Sequence, residues 1–198
     1  MDSTKIKIFI ISIFLISIGC TKKSNTFNVP EIGWSIELIP NWKIENSRDL
    51  NKDIKEGIEA IKRSGINPNI NGKEISLITL RKNTNTKFQA TIIPFKESYK
   101  NEWNDKYPLI KKHIYNIFTS QDGVKVDSTS NKQTIDSINF EVFNMKIYHN
   151  GRRVMEQNMY RTYLNGYDFV INMTNDNPPY KEQMLNVLKK SKFSEIEK

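Results

Sequence analysis

One cysteine and two histidines in 198 residues leave little for metal binding or nucleophilic catalysis. Cys20 has no second cysteine to pair with, which excludes an intramolecular disulfide. No HExxH, CxxC or EF-hand spacing occurs, so no metal site is expected. The eight glycines form neither a GxxxxGK[ST] nor a GxGxxG cradle for phosphates, no GxSxG turn presents a serine, and no cofactor is expected. A catalytic base would have to be His113 or His149, and both read as ordinary flank or surface histidines. Paired carboxylates are the one catalytic option left open, because acids distant along the chain can meet in a fold. A spanning helix is also missing, since no apolar run reaches roughly 17–25 residues.

The start of the chain carries the most specific signal present. Lys5 and Lys7 precede the apolar run Ile8–Ile18, which ends at Gly19-Cys20. A charged segment, a short apolar segment and a small residue before a cut are the parts of an export signal. Ile16, Ile18, Gly19 and Cys20 resemble the lipobox of bacterial lipoproteins, with Ser17 standing where that family usually has Leu. The resemblance implies a signal peptide over residues 1–19 and an acylated Cys20 that holds the protein to a membrane. Two or three acyl chains anchor firmly where one binds only marginally. Residues 20–28 then read as the lipidated cysteine and a polar tether, and residues 29–195 as a single domain.

Thirty Lys and Arg against 22 Asp and Glu give a net charge of +8. Such a balance favours anionic partners: phospholipid or lipopolysaccharide headgroups, acidic glycans or nucleic acid. Nucleic acid is not expected of an exported chain. With 23 Asn, 28 Ile and two Ala, the composition resembles lipoproteins of the Bacteroidetes group. Surface export there goes with an acidic stretch after the cysteine, whereas this chain has Thr21-Lys22-Lys23-Ser24-Asn25. The resemblance therefore implies a periplasm-facing position in the cell envelope.

From Val29 onward the pattern is that of an α+β domain, an antiparallel sheet of about five to seven strands packed against three helices. Trp34, Ile36 and Leu38 alternate with polar residues up to Pro40. Leu50, Ile54, Ile58 and Ile61 recur at helical spacing. The runs 75–82 and 88–96 flank a polar turn as a hairpin, and Pro108 opens a second helix that closes before Gly123. Asn150-Gly151 and Asn165-Gly166 are two-residue turns joining three strands between Phe140 and Thr174. Asp176-Asn177-Pro178-Pro179 starts a last helix. Trp34, Trp42, Ile147, Tyr160, Phe169, Ile171 and Leu188 are core candidates.

Pairing outward from the two turns sets Ile147 opposite Val154 and Tyr160 opposite Ile171. One face then collects Phe143, Met145, Ile147, Val154, Tyr160, Leu164, Tyr167, Phe169, Ile171 and Met173. The other carries Tyr148, Arg153, Met155, Met159, Arg161 and Tyr163, a mixture of aromatic, Met and Arg side chains found in interface cores. It is a candidate partner-binding face for a protein or an anionic glycan or lipid. The competing reading is that a helix covers it, with Met155, Met159 and Phe140 as a second core and the charges at the rim.

The order of these elements, with Pro40-Asn41-Trp42 after the first strand and Ser191-Lys192-Phe193 after the last helix, resembles the PsbP/DcrB-like α/β/α sandwich over residues 29–194. Members are mostly non-enzymatic extrinsic subunits, adaptors or envelope lipoproteins. The resemblance implies a binding role without naming a partner, and the absence of a nucleophile–base pair favours that role over a small hydrolase using carboxylates.

Overall fold

The computed structural model describes residues 25–45 and 74–195. The leader, Cys20 and the helix expected around Leu50–Ile61 lie outside these residues. The described residues form two sheets. The smaller is a three-stranded sheet of β1 (Thr26–Val29), β2 (Trp34–Glu37) and β10 (Lys192–Phe193), with β2 central. The larger has seven antiparallel strands in the order β3 (Lys43–Ile44), β4 (Ile75–Asn83), β5 (Thr86–Pro94), β9 (Tyr167–Asn175), β8 (Arg152–Leu164), β7 (Ile138–His149) and β6 (Val124–Ile135). Helix α1 (Glu102–Thr119) packs on one of its faces and helix α2 (Pro178–Lys190), with the small sheet, on the other. The expected α+β sandwich is the architecture found.

Tight turns set most of the larger sheet. Asn150-Gly151 and Asn165-Gly166 have positive φ at all four residues, as the mirror-image turns that match strand twist require. The β8–β9 register follows directly, with Leu164 opposite Tyr167 and Tyr160 opposite Ile171. The pairing of Ile147 with Val154 does not form. Tyr148 faces Arg153 as expected, but Ile147 faces Met155, leaving Val154 as the extra residue of a β-bulge. Beyond the bulge β7 is shifted by one residue against β8, and a one-residue shift exchanges faces. Phe140 and Val142 therefore join Tyr160, Phe169 and Ile171, while Phe143, Met145 and Ile147 lie on the opposite face.

Three other elements differ from expectation. Helix α1 starts six residues before Pro108, which sits inside it. Trp103 and Tyr107, one turn apart, are both buried against the sheet, and the Glu97 carboxylate accepts the Trp103 N–H at 3.1 Å. That early packing outweighs the backbone bond Pro108 cannot donate. Residues 26–28, read as tether, belong to β1, where Phe27 pairs with Ile36. Strand β6 has no apolar alternation from Asp127 to Thr134 and is held by pairing with β7 along its whole length.

The face under α2 is the main core. Trp34, Phe88, Phe140, Phe169, Ile171 and Leu188 are all at most 1% exposed, and the rings of Trp34 and Phe169 lie 5.0 Å apart. All seven core candidates named from sequence are buried. Under α1 a smaller cluster forms from Phe143, Met145, Ile147, Met159 and Val170 with Tyr107.

Candidate functional site

The six residues proposed as one surface are separated by the bulge and by α1. Met155, Met159, Arg161 and Tyr163 share the face under α1, whereas Tyr148 and Arg153 belong to the opposite face, beside Val142 and Lys146. Met159 is buried in the α1 cluster and Met155 is packed against it. Tyr163 lies at the rim, 37% exposed and edge-to-face with Phe95 at 5.9 Å. Lys106 lies 5.7 Å from the Phe95 ring.

Arg161 is closed off. It is 5% exposed and holds Asp168, 4% exposed, through two parallel bonds: Nε to Oδ1 at 3.1 Å and Nη2 to Oδ2. The Trp103 indole N–H donates to the same Oδ1 at 3.0 Å. The Arg161 guanidinium carbon also lies 6.0 Å from the Trp103 ring and 5.6 Å from that of Tyr107, two rings stacked at 5.7 Å. A fork-shaped cation, a carboxylate and an indole donor thus satisfy one another under the helix. Tyr107 pays part of this closure: burial raises its phenol above the usual range, and its hydroxyl has no hydrogen-bond partner. Burial likewise raises the carboxyl of Glu74, with Asp168 adding to the rise against a bond from Thr91. The arrangement is a structural clasp for α1. Of Arg161, Asp168, Trp103 and Tyr107, the sequence pattern singles out only Arg161 as a candidate. A carboxylate interrupting the apolar run Tyr167–Ile171, one strand from an equally isolated arginine, is the signal that could have found it.

Tyr148 and Arg153 remain at the surface, Tyr148 half-buried and Arg153 exposed. Arg153 Nη1 reaches the buried carboxylate of Glu156 at 3.8 Å, and Lys181 from the first turn of α2 bonds the other oxygen of that group.

A shallow groove of about 320 Å³ opens where the small sheet meets the β6–β7 turn, between Asn28, Gly33, Asp136, Lys192 and Ser194. Gly33 has φ +64° and a Cβ there would meet the Ser194 carbonyl at 2.3 Å, so glycine is required where the C-terminal segment crosses β2. The groove contains one carboxylate, Asp136. Its oxygens accept the Phe193 N–H at 2.7 Å and the Lys192 ammonium at 3.0 Å, and these two bonds hold its pKa below the usual range. Neither histidine is set up as a base: His113 Nε2 is buried without a partner, and His149 stands at the end of β7 against Gly123. Among the described residues no three His, Cys, Asp or Glu side chains gather as a metal site, and no helix is long and apolar enough to cross a membrane.

No protein-family profile matches the chain, and no curated protein sequence matches it. A solved structure does. The solution structure of cyanobacterial PsbP (CyanoP) from Synechocystis sp. PCC 6803 superposes with a TM-score of 0.57 over 91% of this chain and 99% of that one, at 9% sequence identity. The fold is PsbP-like. At that identity the likeness concerns architecture alone.

Proposed function

We propose that this is a lipid-anchored protein of the cell envelope, facing the periplasm, that works as a non-catalytic binding or adaptor module for a protein or an anionic envelope component. The observation that carries the non-catalytic part is the state of the buried and grooved charges. Arg161 and Asp168 are used up in clasping α1, and the carboxylate in the groove is used up in holding β10. Glycoside hydrolysis needs two carboxylates about 5–9 Å apart across an open cleft, and the groove offers one. The PsbP-like fold supports an accessory role. The anchor rests on Lys5, Lys7, the run Ile8–Ile18 and Gly19-Cys20.

The test is detergent partitioning and intact mass of the native protein beside a Cys20→Ala variant. The native chain enters the detergent phase with the mass of an acylated Cys20 N-terminus, and the variant does not. Equal aqueous partitioning of both removes the anchor.

A further inference from the structure

Among the described residues, side chains at the β7–β8 hairpin stay exposed on the face of the sheet that α2 and the small sheet cover elsewhere. The bulge at Val154 matters here. The Asn150-Gly151 turn pairs Arg153 with Tyr148, β6 pairs Lys125 with Tyr148 from the other side, and the bulge puts this row on the same face as Glu156 instead of Met155. The result is a cross-strand row in which a half-buried tyrosine stands between two exposed cations. Two strand spacings separate the cations, about 10 Å. The next row sets exposed Lys146 between Asp127 and the buried Glu156, and Lys181 bonds Glu156 from α2. Four cations thus share two carboxylates. Behind them a third row, Thr129, Asn144 and Asn158, is neutral and hydrogen-bonding.

We infer that this surface binds an anionic polysaccharide. The inference deepens the proposed binding function and rests on that reading for its setting in the envelope. The excess of cations over carboxylates supplies charge complementarity to acidic groups. An aromatic ring between the cations gives a sugar ring an apolar contact with an acidic group on either side. The Thr129 and Asn144 side chains behind it suit sugar hydroxyls, which a lipid headgroup layer would not present in a row. Bulges re-aim side chains near functional sites, and here the bulge separates Arg153 from the Met155–Arg161 face and sets it beside Glu156.

The test titrates the full chain, in neutral detergent, with a sulfated glycan of defined length and with neutral dextran as probes, and the Cys20→Ala chain, without detergent, with anionic phospholipid vesicles. The sulfated glycan binds, its affinity falls as salt rises, and dextran does not bind. The Lys125→Gln/Arg153→Gln variant loses about tenfold or more in affinity, whereas the charge-matched Lys189→Gln/Lys190→Gln variant in the last turn of α2 keeps it. Equal losses in the two variants mean unspecific charge attraction and overturn the site. So does binding of dextran, binding of neither probe, or binding of anionic vesicles alone. The anchor is judged separately: unacylated Cys20→Ala protein that binds the glycan upholds this surface whether or not the native chain is lipidated.

Discussion

Under α2 the seven-stranded sheet presents Phe88, Phe140, Phe169 and Ile171, each at most 1% exposed, whereas under α1 the same strands present Phe143, Met145 and Met159 beside Arg161 and Asp168. The two faces are closed by different physics. Apolar packing tolerates loss in proportion to the cavity left behind. A buried ion pair makes each partner dependent on the other, so that removing one leaves an uncompensated charge in a low-dielectric site. A loss on the first face has no single partner whose removal offsets it, whereas on the second the loss of Arg161 or Asp168 should be offset by removing the other.

The largest effects separate the faces. Phe169→Ala should cost about 3–5 kcal/mol in urea unfolding, with no second-site partner to restore it. Asp168→Leu should cost a similar amount, about 3–5 kcal/mol, by stranding Arg161. Adding Arg161→Met to Asp168→Leu should recover more than half of that loss, the remainder coming from the orphaned Trp103 indole; a simple sum of the two single losses would mean that the pair is not coupled. Next in size is Trp103→Phe, which keeps the ring and removes the N–H donated to Asp168, with an expected loss of about 1–3 kcal/mol.

Smaller effects come from pH. The Phe193 N–H first, and Lys192 second, hold the Asp136 carboxyl below its usual range. Its contribution is then full above the unfolded-state value near 4 and fades as pH falls through the folded-state value. Stability curves of the native chain and Asp136→Asn should differ near neutrality and converge in acid. Glu74 runs the other way. Burial raises its folded-state value, so its favourable contribution is full below the unfolded-state value near 4.3 and is lost as pH rises through the raised one. Glu74→Gln should be slightly more stable than the native chain at pH 7, and equal stability there would place the carboxyl in solvent.

The same contrast explains what could be read from sequence. The core under α2 was legible because Asn165-Gly166 fixes the β8–β9 register without help from the rest of the fold. The register of β7 was not, because the bulge falls on Val154, a residue with none of the glycine or proline marks of a bulge. That single residue sent Phe143, Met145 and Ile147 to the wrong face. Helix α1 was placed too late because Pro108 is a favoured first-turn residue, while the side chain that caps the real start, Glu97, acts from outside the helix. Strand β6 escaped because its polar run has no apolar face of its own and depends on β7. At the candidate site, Arg161 was visible as an isolated charge, but its role depended on Asp168 and on a helix approaching from 58 residues earlier in the chain, where Trp103 lies.

The two arginines of β8 that the sequence placed on one surface now have opposite roles, and one measurement compares them directly. In urea unfolding at pH 7, Arg161→Met should lose about 3–5 kcal/mol because it strands Asp168, whereas Arg153→Met should lose less than about 1 kcal/mol, because Arg153 is exposed and Glu156 keeps Lys181. Equal losses, or a larger loss at Arg153, would contradict the division of the sheet into a clasped face under α1 and an open surface at the hairpin.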